Sequence, residues 1–317
     1  MEKSLKMINL FNVNNHIIDT STYSNLLHDK IVDTFESTIC DYVGAKYGVS
    51  FNSATSAIFL TLLNKNITVK VPSMIPPVVL NAIITSGNEY EFTDNVNWVG
   101  DSYILHNFDD YKIIDSAQKL EKNQYINECD NNDLMIFSFY PTKPIGTCDG
   151  GMIVSNDLSK ITHLKELALN GMTYSENNWE RKIKFPGYKM YMNSIQCDIA
   201  LKNFNLYENK LEKLDNIRNI YNEKLNYSNY SNHLYRINVV NRDKFISYMK
   251  ENNVSCGIHY EAMHLNPVYK IDDIELVLTE KEHKTTVSIP FNETLTLQEI
   301  MFIIGLIKKY NDKFGTI

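Results

Sequence analysis

What this sequence of 317 residues lacks narrows it first. It has no CxxC pair, and its five cysteines (Cys40, Cys129, Cys148, Cys197 and Cys256) are odd in number and far apart. That pattern suggests neither a metal site nor a disulfide framework, and a reducing, cytoplasmic setting is expected. No apolar run approaches the length of a membrane span. The opening MEKSLKMINLF has no h-region, so no signal peptide is expected, and Asn-x-Ser/Thr triplets such as Asn229-Tyr230-Ser231 carry no glycosylation meaning. Positive charge is not in excess: the formal net charge is −7, which argues against a general nucleic-acid binder. There is no internal repeat. What remains is 44% hydrophobic and 22% charged, the composition of an ordinary soluble globular protein, long enough for a substantial core and two domains.

The apolar pattern alternates strand and helix through the first two-thirds. Ile31, Phe35, Ile39 and Tyr42 recur at helical spacing, with Gly44 placed to end that helix. Tyr47–Phe51 reads as a strand, followed by Asn52-Ser53-Ala54-Thr55-Ser56 and the apolar helix Ala57–Leu63. Strand Val69–Val71, helix Val78–Ser86 and strand Tyr90–Thr93 come next, then two short strands, Tyr103–His106 and Lys112–Asp115. Leu134–Phe139 is a buried strand stopped by Tyr140-Pro141, and Met152–Val154 is another. Helix Leu158–Leu169 leads to a loop, Met172–Lys189, holding Trp179, Arg181, Lys182 and Lys184, which fits either a solvated loop or an anion contact. A long helix is expected from Met192 to about Leu225. After it come strand His233–Val240, helix Asp243–Asn252, strand Ser255–Tyr260 and helix Leu297–Tyr310. This order predicts an α/β layered large domain with a mixed sheet, residues 1–202, and a smaller α+β C-terminal domain, residues 203–317.

Three places carry chemistry. Thr55 and Ser56 open a helix after a strand, which suits N-capping or the binding of an anion by free N–H groups. Asp115 ends an apolar strand, where a carboxylate serves as a turn cap or faces the crevice in which α/β proteins bind ligands. Lys143 lies in a turn closed by Gly146 and the Gly150-Gly151 pair, directly after a buried strand. An amine partly withdrawn from water there has a lowered pKa and becomes a usable nucleophile. Taken together, the three meet the needs of pyridoxal 5'-phosphate: a lysine for its aldehyde, a carboxylate for its ring nitrogen and a cup for its phosphate.

The segments FESTICDYVGAKYGVSFNSATSAI, IIDSAQ, SFYPTKPIGTCDGGMIVSND, GYKMYMNSIQCDIAL, SNHLYRI, GIHYEAMHLNPVY and SIPFNETLTLQEI occur in that order. The chain thereby resembles the DegT/DnrJ/EryC1/StrS sugar aminotransferases over most of its length. That resemblance implies the type I, aspartate aminotransferase-like fold of pyridoxal phosphate enzymes. It implies that Lys143 binds the cofactor covalently and shuttles a proton, that Asp115 pairs with the ring nitrogen, and that Gln118 lies beside the ring. It gives Thr55, Ser56 and Ser138 to the phosphate, with Tyr191 a further cofactor contact, and His259, Tyr260 and His264 to the sugar. It implies a homodimer with shared sites, in which residues of Lys189–Asn193 serve the neighbouring subunit.

Three departures from the family pattern stand out. Pro76 occupies a position where many members have an aromatic residue on the cofactor. Tyr191 stands where Asn or Arg is usual. Only twenty residues separate Asp94 from Asp115, and the link Asn107–Tyr111 is too short for a helical crossover, so a helix of the large domain is expected to be missing. The reading is an aminotransferase moving an amino group from glutamate to C4 of a nucleotide-linked 4-keto-6-deoxysugar. The C4 choice rests on the likeness of NSATSAI, KPIGT and Gly257–Tyr269 to members that aminate 4-keto sugars. The alternatives are a 3-keto-sugar aminotransferase or a non-catalytic relative; a dehydratase of the family is disfavoured because those enzymes carry His at the lysine position.

Overall fold

The computed structural model describes residues 7–173 and 182–316. Trp179 and Arg181 of the basic loop lie outside that range, and Lys184 is tied to Glu166.

Helix α1 (Lys30–Val43) buries Phe35, Ile39 and Val43 on one face. It begins where the Asp29 carboxylate accepts the Ile31 N–H and ends at Gly44, whose φ of 81° is costly for any residue with a Cβ. Strand β1 (Tyr47–Phe51), helix α2 (Ala54–Leu62), strand β2 (Thr68–Pro72), helix α3 (Pro77–Thr85) and strand β3 (Glu89–Thr93) follow as the periodicity predicts. No helix is formed between β3 and the next strand, β4 (Tyr103–Asn107); residues 94–102 cross the gap as turns, so the expected helix is missing.

Strand β5 (Lys112–Asp115), helix α4 (Gln124–Glu128), strand β6 (Leu134–Ser138), strand β7 (Gly151–Ser155) and helix α5 (Leu158–Ala168) continue the layer. Two short strands, β8 (Met172–Thr173) and β9 (Lys182–Ile183), pair with each other beyond it. Among the described residues, five strands form one mixed sheet in the order β1-β7-β6-β5-β4. Only β5 and β6 run parallel there; β4 is antiparallel to β5. A parallel pair, β2 and β3, stands as a separate small sheet. Side chains alternate across the large sheet as its pleat requires. Ile113, Leu134, Ile136 and Ile153 join the core under α2, α3 and α5, whereas Ile114, Met135, Phe137 and Met152 join the core under α1, together with Cys197 and Ala200 from later in the chain. Each fully buried aliphatic side chain of this kind contributes about 1.5–3 kcal/mol.

The long helical pattern is two helices, α6 (Ser194–Phe204) and α7 (Tyr207–Leu225). They part at Asn205–Leu206, just where the Asn203 side chain donates to the Gly146 carbonyl. Helix α6 serves the sheet core, whereas Leu214, Ile217 and Tyr221 of α7 belong to a different core. That second core also takes in strand β10 (Tyr235–Asn238), helix α8 (Arg242–Glu251), strand β11 (Thr286–Ile289) and helix α10 (Leu297–Phe314). Helix α9 (Val277–Thr285) and β11 had no counterpart in the sequence reading. The expected strand Ser255–Tyr260 is replaced by a single rung, Gly257 against Ser288. The chain then turns away, and His259 spends its Nδ1 on the Ser288 hydroxyl at 2.9 Å.

Candidate active site

The carboxyl ends of β5 and β6 and the start of α2 open on one cavity of about 430 Å³. Lys143 enters it from a loop that is closed like a clasp. Phe139 N–H donates to the Gly150 carbonyl at 2.8 Å, Lys143 N–H to the Tyr140 carbonyl at 2.9 Å, and Thr147 N–H to the Phe139 carbonyl at 2.9 Å. Gly146 is required there, because a Cβ would stand 2.3 Å from the Pro141 carbonyl oxygen. Gly151 is required for another reason: a Cβ would meet the Ala54 nitrogen at 2.4 Å, so only glycine lets the end of this loop touch the start of α2.

Burial pushes the Lys143 ammonium down to about 8, with the Asp115 carboxylate opposing that shift. A substantial neutral fraction near physiological pH is what a nucleophilic amine needs. Asp115 is 4% exposed at the last position of β5. Its Oδ1 accepts the Ala117 N–H at 2.9 Å and its Oδ2 accepts the Tyr103 hydroxyl at 2.9 Å. Burial raises the Asp115 carboxyl above the ordinary value, while those two donors and Lys143 pull it back. Gln118 lines the same cavity; its Oε1 accepts the Gly100 N–H at 2.7 Å and its Nε2 donates to the Tyr260 hydroxyl at 3.1 Å.

At the far wall, Ser53, Ala54, Thr55 and Ser138 face the cavity. Ser53 caps α2 by accepting the Ser56 N–H, which leaves the first amides of the helix to find an acceptor from outside it. A helix start of this kind, with hydroxyls from Ser53, Thr55 and Ser138, suits a phosphate. His259 and Tyr260 also line the cavity, and burial, aided by Lys143 and Arg236, lowers His259 to about 4.

Three expected residues are not brought in. Ser56 is not a wall of the cavity, because its hydroxyl donates to Asn52 Oδ1 at 2.7 Å. Tyr191 packs its ring 4.5 Å from that of His28, beside a different cavity, after pairing its backbone with Phe51. His264 is buried against Ser73, with Nδ1 and the hydroxyl 2.7 Å apart, and supports packing rather than the cavity. Pro76 does line it. Sequence reading missed Trp98, Tyr103 and His233. Trp98 and His233 form part of the wall, and Tyr103 reaches Asp115 from β4. Trp98 lies within the short Asp94–Asp115 connection and His233 at the start of the expected strand His233–Val240, and neither place carries a local signal of a cavity wall.

An amine, a buried carboxylate and an anion-binding helix start thus converge. The family model for the DegT/DnrJ/EryC1/StrS aminotransferase family matches residues 12–97 and 113–308. The UDP-4-amino-4,6-dideoxy-N-acetyl-beta-L-altrosamine transaminase of Campylobacter jejuni is 24% identical, over 86% of this chain and 88% of its own. Among solved structures, the aminotransferase TlmJ of Streptoalloteichus hindustanus superposes with a TM-score of 0.81 at 18% identity, covering 97% of this chain and 99% of that one. PseC of Helicobacter pylori, an aminotransferase involved in the biosynthesis of pseudoaminic acid, gives 0.78 at 18%, covering 96% and 100%. The mixed sheet and its helices are therefore the type I fold of these aminotransferases. With a match that spans most of its length, this chain belongs to the DegT/DnrJ/EryC1/StrS aminotransferase family.

Proposed function

We propose that this protein transfers an amino group from glutamate to C4 of a nucleotide-linked 4-keto-6-deoxysugar, with pyridoxal 5'-phosphate as cofactor. The observation that carries the reading is the meeting of Lys143, Asp115 and the start of α2 on one cavity. Each functional group of the cofactor finds a partner of the right chemistry: the aldehyde at Lys143, the ring nitrogen at Asp115, and the phosphate at Ser53, Thr55, Ser138 and the first amides of α2. When bound, the cofactor supplies an electron sink for the carbanion at the substrate carbon. Lys143 Nζ would take the proton from the amine-bearing carbon of glutamate and, in the second half of the exchange, deliver one to C4 of the sugar. Asp115 would favour the protonated form of the ring nitrogen and so keep that sink strong. His259 and Tyr260 orient the sugar.

The C4 assignment is supported by the Campylobacter relative, whose name places the amino group at position 4 of a UDP-linked sugar. In this reading residues 1–202 form the cofactor-binding domain, residues 203–317 the smaller one, and two copies share their sites. The test is to incubate the protein with pyridoxal phosphate, glutamate and each of a set of nucleotide 3-keto- and 4-keto-6-deoxysugars, then locate the new amine by NMR. Amine at C4, absent when Lys143→Ala replaces the wild type, is the expected result. Amine at C3, with the 4-keto compounds untouched, sinks the C4 assignment; no turnover of any sugar by cofactor-loaded protein sinks the enzyme reading.

A further inference from the structure

The segment that lost its helix is also the segment that reaches Asp115. Tyr103 is the first residue of β4 and pairs with Asp115, the last residue of β5. That register exists only because β4 runs antiparallel to β5. A parallel strand in the same place would bring its last residues, not its first, to the cavity. The family match stops at residue 97 and resumes at 113, so Trp98 and Tyr103 lie in a stretch that the family model does not match.

We propose that Tyr103 is a positioning residue for Asp115, keeping that carboxylate ionised and turned toward the ring nitrogen of the cofactor. The inference rests on the cofactor assignment made above. The Tyr103 hydroxyl donates to Oδ2 and the Ala117 N–H to Oδ1, both at 2.9 Å. A carboxylate has about four lone-pair positions, so two donors still leave room for a ring N–H. The phenol is held firmly. Its ring meets Trp98 edge-on at 4.7 Å, Trp98 stacks on Tyr260 at 6.0 Å, and Gly100 of the same turn donates to Gln118 at 2.7 Å.

Burial works against the carboxylate and for the phenol. The ionisable groups near Asp115 are Tyr103 on β4, Lys143 on the clasp loop and Tyr260 from beyond β10. Desolvation raises Asp115, and the phenol's hydrogen bond and the Lys143 charge oppose it. Desolvation and the adjacent Asp115 charge raise Tyr103 far above the usual phenol, so it stays a donor across the working pH range. Without that donor the buried acid takes up a proton at higher pH, and a neutral acid no longer favours a protonated ring nitrogen.

Tyr103→Phe removes only the hydroxyl. In cofactor-free protein, the Asp115 carboxyl is followed by infrared difference spectroscopy against Asp115→Asn. Its midpoint should rise by about one to two pH units in Tyr103→Phe, the scale of a hydrogen bond to a charged group. The dissociation constant for pyridoxal phosphate should rise about tenfold as the ring nitrogen loses its partner's charge. Trp98→Phe, which keeps the hydroxyl and an aromatic ring against it, should move the carboxyl midpoint less than Tyr103→Phe does. An unmoved midpoint in Tyr103→Phe overturns the proposal. Should Tyr103→Phe fail to fold, Tyr103→Met carries the same expectations. If wild-type protein never binds pyridoxal phosphate, the proposed function fails, while the carboxyl titration still judges the role of Tyr103.

Discussion

Lys143 and Asp115 each offset part of the other's burial shift, and each predicts something separate. The Lys143 amine falls from an ordinary 10.5 to about 8 because folding takes it out of water. Below pH 8 both folded and unfolded chains hold that proton, and the folded chain bears the full cost of a desolvated ammonium. Between pH 8 and 10.5 the unfolded chain still binds a proton that the folded one has released, so stability rises with pH there. Lys143→Met should remove this limb and stabilise the cofactor-free protein at pH 7 by about 3 kcal/mol. Urea unfolding of both proteins from pH 7 to 10.5 checks it; the same pH slope in each would show that the amine is not desolvated. Asp115→Asn tests the other partner. The amide keeps the shape but cannot favour a protonated ring nitrogen. The variant should bind pyridoxal phosphate, yet turn over about a hundredfold or more slowly, the size of loss seen when one preorganised electrostatic partner is removed. Near-normal turnover would return Asp115 to the role of a strand-end cap.

At the level of elements, the site depends on the contact between the start of α2 and the clasp loop. Ser53 Oγ accepts the Ser56 N–H at 3.1 Å, and Gly151 lies against Ala54. Ser53→Ala should cost about 1 kcal/mol through the lost cap. It should also weaken pyridoxal phosphate binding, because the same hydroxyl faces the cavity. A thermal melt and a cofactor titration separate the two effects. A lower melting temperature with unchanged affinity would mean that the helix start is only a cap. The connection of residues 94–102 acts as an element in its own right. Asp94 accepts the Leu278 and Thr279 N–H groups at the start of α9, Trp98 stacks on Tyr260, and Gly100 holds Gln118. The chain spends no helix there, yet it ties the large sheet to the segments around α9.

For the whole molecule, the proposal of a homodimer with shared sites follows from the family resemblance. Ile195 and Ile199 on α6 and Leu206 beyond it supply apolar surface for a core or an interface, and Leu206 remains largely exposed in the single chain. Tyr191, which does not reach the cavity of its own chain, lies in the segment expected to serve a neighbour. Light scattering of the cofactor-loaded protein should give twice the chain mass. A monomer that still turns over substrate would contradict shared sites.

The sequence by itself determined most of the elements and the lysine loop, because their signals are local. Helical spacing from Ile31 to Tyr42, the strand run before Pro141 and the glycines around Lys143 act within a few residues. It also made the loss of a helix before Asp115 visible, since chain length alone limits a crossover. Tertiary structure decided what local signals cannot carry. The direction of β4 is a pairing choice, and it brought Tyr103 to Asp115. His259 and His264 read alike in the sequence, yet Ser288 draws one beside the cavity and Ser73 buries the other away from it. His233 and Trp98 became cavity walls through packing against Phe11 and Tyr260, partners more than 150 residues distant in each case. Contacts at such separations depend on how the layers close, which no window of sequence contains.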